Sequence, residues 1–299
     1  MIKHIVINGG GPTGLLCYGA LKQLFEKDFI NIDNIKSIYG TSAGAIIAAI
    51  ILMKYDWQTL DDYFFKRPWE KVFKLAPDNL FELYYSKGIF QFDMVREILK
   101  PLLTAKDLDE NITLKEYFEY SNIDFHCFTL EMNTFQKVDL NHITYPDMPL
   151  IKALEMSSAV PILFKPIIEE GKCYVDGGLI DNYPLNECLQ NEKCSDDEVL
   201  GIKNKWSNIE YTINNEMNIF QYLEATMNQI IRFIHTKSTS NPTSIRYELN
   251  CICDKKLADY STWFEYMTCG EKMRELMEEG KQNAELFLSS EAVLGQSAI

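Results

Sequence analysis

The sequence predicts an α/β fold built on a parallel sheet with helices on both faces, and three observations predict it. The series strand, glycine turn, helix occurs twice in succession before Tyr55. The second of those helices is apolar nearly all round, as a helix buried inside a large domain is. Further on, a short apolar run from Val199 to Ile202 reads as a last buried core strand.

Taken in order, Lys3 to Asn8 is a β-branched run that stops at Gly9-Gly10-Gly11, which marks the first strand. Gly14 to Lys27 carries Leu15, Leu16, Tyr18, Leu21, Leu24 and Phe25 at helical spacing. Ile35 to Tyr39 is the second strand and Ala43 to Tyr55 the second helix. Tyr55 to Phe92 is dense in aromatics and broken by Pro68 and Pro77. It is expected either to wall an apolar cavity or to add core. Asp93 to Leu103 and Thr113 to Ser121 have amphipathic helical spacing. Phe125 to Glu131 and Gln136 to Leu140 are expected strands, Leu150 to Ser158 a helix ended by Pro161, and Lys172 to Val175 a strand. Gln190 to Glu198 is polar and acidic and reads as a loop. After Trp206 the pattern shifts. Asn218 to His235 places Phe220, Leu223, Met227, Ile230, Ile231 and Ile234 on one helical face, and Ser244 to Cys253 alternates as a strand does. Gly270 to Leu288 is a charged surface helix with Met273, Leu276, Met277, Ala284 and Leu288 inward.

Composition narrows the function classes. The 299 residues are 46% hydrophobic and 24% charged, an ordinary globular balance. The net charge of −14 repels phosphate backbones and anionic lipid headgroups, which argues against nucleic acid as a partner. No signal peptide is visible, and the longest apolar run, Ala43 to Met53, falls short of the roughly 20 residues that cross a bilayer. Of the eight cysteines, Cys17, Cys127, Cys173, Cys188 and Cys269 are scattered among apolar neighbours, and free thiols in a reducing compartment are expected. With four histidines, none in a paired spacing, no metal site or other cofactor is expected. The expected location is the cytoplasm, with peripheral contact to membranes left open.

Three motifs carry chemistry. Gly40-Thr41-Ser42-Ala43-Gly44 is a Gly-x-Ser-x-Gly pentapeptide set between a buried strand and a buried helix. A sharp turn there exposes the Ser42 hydroxyl, and the helix start directs N–H groups at a developing oxyanion. Gly9-Gly10-Gly11-Pro12-Thr13-Gly14 fits a dinucleotide-binding loop in its glycine spacing. The second strand, however, does not end in the acidic residue a ribose needs, and Pro12 lacks an N–H for a pyrophosphate. The other reading is an oxyanion hole in the Gly9–Gly11 run, with the N–H groups of Gly10 and Gly11 facing the carbonyl that Ser42 attacks. Asp176-Gly177-Gly178, taken alone, is as ordinary as a hairpin turn. It gains weight as the third member of a set.

That set, in this order, resembles the patatin-like phospholipase family. The segments Ala153 to Pro166 and Tyr174 to Pro184 are similar to the family's approach to, and continuation from, its catalytic aspartate. The resemblance covers roughly residues 1–204. It implies a three-layer α/β/α sandwich with a mostly parallel central sheet, and a Ser42–Asp176 dyad acting without histidine through an acyl-enzyme. Gly14, Gly40, Gly44, Gly177 and Gly178 are then the motif glycines. Residues 205–299 are expected as a helical extension with one or two strands, packed on the core as part of the same folding unit. An α/β-hydrolase would instead require the order Ser, Asp, His, with His235 as the downstream candidate. Too little chain precedes Ser42 for that fold, and His235 reads as a surface or core residue. One departure stands out: Thr13 occupies the place where the family usually carries Arg or Lys, which puts phospholipid preference in doubt more than hydrolysis. The expected substrate is a lipid ester, met at a membrane surface or free. Acyl transfer to an alcohol, or lipid binding with weak catalysis, are the alternatives, and the oligomeric state stays unread.

Overall fold

The computed structural model describes residues 1–73, 87–90, 93–206, 213–238 and 244–290. Strand β1 (His4–Ile7) leads through a tight turn at Gly11–Thr13 into helix α1 (Gly14–Glu26), and β2 (Ser37–Thr41) leads into α2 (Ala43–Leu52). The aromatic stretch forms α3 (Trp57–Lys66), the single turn α4 (Trp69–Val72) and β3 (Gly88–Phe90); the rest of it lies outside the described residues. Then come α5 (Met94–Ala105), α6 (Leu114–Ser121), β4 (Asp124–Glu131), β5 (Gln136–Leu140) and α7 (Leu150–Ser157). Short strands β6 (Ile162–Phe164) and β7 (Ile167–Glu169) precede β8 (Lys172–Asp176), α8 (Leu185–Glu192) and β9 (Val199–Trp206). The chain closes with α9 (Ile219–Ser238), β10 (Tyr247–Cys253), α10 (Tyr260–Thr268) and α11 (Gly270–Leu288).

Among the described residues the main sheet has eight strands, in the order β10-β9-β1-β2-β4-β8-β7, with β5 also on β4. Strands β10, β9, β1, β2 and β4 are parallel; β5 and β8 each pair antiparallel with β4, and β7 pairs antiparallel with β8. Helices cover both faces, which is why the inner strands read as unbroken apolar runs. On β1, Ile5 and Ile7 face the larger core while Val6 faces a second core built with Leu185 and Cys188 of α8. The fold is therefore the mostly parallel α/β sandwich that the resemblance implied.

Three expectations need correction. Val199–Ile202 is neither short nor last: β9 continues to Trp206 and is an inner strand, because β10 pairs along its outer edge. Gln190–Glu198 is not all loop, since α8 runs through Glu192 before Lys193 ends it in a left-handed conformation. Helix α9 forms, but its apolar residues do not all turn inward: Ile219, Leu223 and Ile230 are exposed. The C-terminal elements pack closely on the core. Gly19 of α1 and Gly280 of α11 lie at the crossing of those helices, where an added Cβ would sit 2.0 Å from the Met277 carbonyl oxygen and 2.1 Å from that of Leu16. No helix among the described residues is long and apolar enough to cross a membrane.

Candidate active site

Ser42 sits between β2 and α2 with φ 54° and ψ −126°, a conformation costly for any residue with a side chain. The sequence makes that turn possible through its glycines. At Gly44 a Cβ would fall 2.5 Å from the Ile7 carbonyl oxygen, so only glycine lets α2 approach β1 this closely. Gly40 lies within β2, and Gly14 starts α1 against Ala43. The turn is held from behind by Ser157 at the end of α7. The Ser42 N–H donates to Ser157 Oγ (2.9 Å), which in turn donates to the Phe128 carbonyl (2.6 Å). Sequence reasoning missed Ser157 as a positioning residue, because a buried serine at a helix end has no distinguishing pattern.

Asp176 meets Ser42 through the sheet itself. Strand β2 pairs with β4 from Asp124 to Phe128, and β8 pairs with β4 from Thr129 to Glu131. Strand β5 holds the other edge of β4 across Cys127 to Glu131. Strands β2 and β8 therefore share one edge and run toward each other. Thr41 ends opposite Phe128 and Asp176 ends opposite Thr129, so the residues that follow the two strand ends meet head on. Ser42 Oγ donates to Asp176 Oδ2 at 2.5 Å, and both residues are buried. The other oxygen, Oδ1, accepts the Gly178 N–H at 2.7 Å within the turn that Gly177 begins. Burial pushes the Asp176 carboxyl up to about 6, with the bonds from Ser42 and Gly178 pulling in the opposite direction.

In the glycine loop the structure divides the three candidate donors. Gly9 N–H is already given to the Asn182 carbonyl (3.0 Å), so Gly9 cannot serve an oxyanion. The N–H groups of Gly10 and Gly11 have no hydrogen-bond partner among the described residues, and both glycines line the cavity over Ser42. Thr13 is fully buried. Its Oγ1 donates to the Gly10 carbonyl (3.1 Å) and accepts from Asn204 Nδ2 (2.6 Å), and Asn204 also donates to the Gly9 carbonyl (2.8 Å). Thr13 thus ties the loop to β9 and takes no part in lining the cavity.

Two hollows meet at Ser42. One, about 370 Å³, is walled by Gly10, Gly11, Asp176, Asn182 and residues of α9. Among the described residues lining it, Arg232 of α9 is the one cation. The other, about 100 Å³, is nearly all apolar, with Ile46, Ile47, Phe64, Trp69 and Phe73 in its wall. The described part of the aromatic stretch therefore does face an apolar cavity. Trp263 of α10 borders both hollows. His235, expected on the surface or in the core, lies in the wall of the first. Its Nε2–H donates to the Gly178 carbonyl at 2.9 Å, and burial lowers its pKa, so it braces the Asp176 turn as a neutral ring. It makes no bond to Ser42 or Asp176 among those observed.

A family model described as patatin-like phospholipase matches residues 5–189. An uncharacterized protein of Acanthamoeba polyphaga mimivirus is 28% identical over 186 residues, which are 62% of this chain and 60% of that protein. The chain thus spans less than two thirds of that relative. A protein of Invertebrate iridescent virus 6 named "Probable lipid hydrolase 463L" is 27% identical over 210 residues, 65% of this chain and 67% of that one. Among solved structures, VipD from Legionella pneumophila superposes with a TM-score of 0.59 at 15% identity, over 96% of this chain and 66% of its own, a likeness of fold. With the family model matched over more than half its length, the chain belongs to the patatin-like phospholipases, a family of serine ester hydrolases.

Proposed function

We propose that the chain is a lipid acyl hydrolase of phospholipase A or lysophospholipase type that works through a Ser42–Asp176 dyad. The observation that carries this reading is the 2.5 Å hydrogen bond from Ser42 Oγ to a buried carboxylate, at the junction of a larger hollow of mixed lining and a smaller, nearly all apolar one. The ester carbonyl carbon is attacked by Ser42 Oγ as Asp176 Oδ2 takes the hydroxyl proton. The negative charge that moves to the carbonyl oxygen is met by the free N–H groups of Gly10 and Gly11 and by the start of α2. When the intermediate collapses, the C–O bond to the alcohol breaks and Asp176 returns the proton to the leaving oxygen. Asp176 then deprotonates a water that attacks the acyl-Ser42 carbonyl; as that intermediate collapses the C–O bond to Ser42 breaks, Asp176 returns the proton to Ser42 Oγ, and the fatty acid is freed.

The acyl chain fits the apolar hollow behind Ser42, and the alcohol part fits the larger one, where Arg232 supplies a charge for an anionic group. Contact with a lipid surface is supported by α9. Its inner face, Asn228, Ile231 and His235, lines the catalytic hollow, while Ile219, Tyr222, Leu223, Ile230 and Phe233 form an exposed apolar stripe along its outer face. The relative named as a lipid hydrolase points to the same substrate class. The test is hydrolysis of a short-chain nitrophenyl ester by the purified protein. Ser42→Ala and Asp176→Asn are each expected to lose nearly all activity, about a thousandfold or more, and a fluorophosphonate is expected to label Ser42. Full activity in either variant, or a label elsewhere, contradicts the dyad.

A further inference from the structure

Three of the four histidines gather at the end of the sheet opposite the dyad, where β1, β2 and β4 begin. His126 of β4 is 5% exposed and stacks on Tyr39 at 4.1 Å between ring centres. Its Nδ1 faces Asp139 Oδ2 at 2.8 Å. Its Nε2 is buried without a hydrogen-bond partner among the described residues, although Asp124 Oδ2 lies 3.3 Å away. The approach to Asp124 is within ion-pair reach but falls short of hydrogen-bond geometry, so this buried nitrogen is only partly satisfied, where nearly all buried polar atoms find a full partner. One ligand atom from each of Asp124, His126 and Glu192 falls within 4.8 Å of the other two.

We propose that Asp124, His126 and Glu192 bind a divalent first-row transition ion, with Zn²⁺ as the probe. Each of the three has an outer partner that holds one of its atoms. Asp139 accepts from His126 Nδ1–H, the tautomer that presents the Nε2 lone pair. His142 Nδ1 bonds Asp124 Oδ1 (2.9 Å), leaving Oδ2. Tyr39 Oη donates to Glu192 Oε1 (3.0 Å), leaving Oε2, which lies 3.6 Å from His4 Nδ1. The side chains of Asp124 and Glu192 are 25% and 21% exposed, so an ion has an entry path and the carboxylates have room to close around it. Closing to about 3.3 Å between ligand atoms, with water in the remaining position, matches a tetrahedral zinc set. The ion would fasten the end of α8 to the start of β4, away from the reacting atoms. Sequence spacing hid the set because its members come from one strand and a distant helix.

The experiment strips the purified full chain with a chelator and titrates it with Co²⁺ and Zn²⁺. The expected result is one ion per chain, a cobalt spectrum without sulfur-to-metal charge transfer, and a melting temperature raised by several degrees in excess Zn²⁺. His126→Gln, Glu192→Gln and Asp139→Asn are each expected to weaken binding by about tenfold or more, with ester hydrolysis unchanged in Glu192→Gln. If His126→Gln does not fold, Glu192→Gln and Asp124→Asn, both at partly exposed positions, decide the matter. Absence of binding at about tenfold excess of ion overturns the proposal. So does a thiolate band from Cys188 or Cys194, or affinity that survives in Glu192→Gln and Asp124→Asn. Any of these leaves His126 as a protonated ring between Asp124 and Asp139.

Discussion

Burial holds the Asp176 carboxyl at about 6, against 3.8 for a free one, and that single displacement has two measurable consequences. The general base proposed for Asp176 must be ionised, so on that proposal the rate of ester hydrolysis is expected to rise with pH through one proton near pH 6 and level off above it. A rate that stays flat from pH 5 to 8 would separate Asp176 from the rate-limiting proton transfer. Stability moves the other way. The native carboxyl holds its proton at a pH where the unfolded one has lost it, so stability is fully present below the unfolded value and falls as pH rises toward about 6. Asp176→Asn removes the buried charge and is expected to stabilise the fold at pH 8, on the order of 1–3 kcal/mol, with little gain at pH 4. Thermal melts of both proteins at the two pH values check this. The pairing of Ser42 with Asp176 was legible in the sequence because both residues carry a local signature in glycine. Ser157 and His235 were not, because they act through hydrogen bonds to backbone that only folding brings near them.

At the scale of elements, α1, α5, α6, β4 and β5 were legible nearly to their ends, whereas α2 stops at Leu52, short of Tyr55, and α3, α4 and β3 inside the aromatic stretch were not read one by one. Thr113 and Glu116 form reciprocal capping bonds at the start of α6. Helix α9 was legible as a helix but not in its orientation. Apolar spacing says that a face is apolar, not whether protein or lipid covers it. Here the inner face lines the catalytic hollow, and the stripe of Ile219, Tyr222, Leu223, Ile230 and Phe233 is left exposed. Replacing Leu223 and Ile230 with Ser is therefore expected to reduce hydrolysis of phospholipid in neutral vesicles about tenfold, while a soluble ester is cleaved as before. Equal loss on both substrates would point to a disturbed cavity instead. Neutral vesicles are the proper probe, because the net charge of −14 opposes an anionic surface.

For the whole molecule, the C-terminal elements are built into the sheet and its cover. Strand β10 pairs along the length of β9, and α11 crosses α1 at Gly19 and Gly280 with almost no space between backbones. A chain cut after Trp206 is expected to lose its cooperative melt, since it would bare the edge of β9 and the outer surface of α1. Loss of near-ultraviolet circular dichroism with a broad thermal transition checks it; a sharp melt in the cut chain would make the first 206 residues a unit of their own. What the sequence determined by itself was the alternation of strand and helix, the parallel sheet and the three glycine-bearing motifs, because these depend on period and on local steric demands. What the tertiary structure decided was the meeting of β2 and β8 on one edge of β4, the exclusion of Gly9 as a donor and the arrival of α9, Trp263 and His235 at the cavity. Those are contacts between segments far apart in the chain, and pairing across such distances leaves no period in the residues themselves.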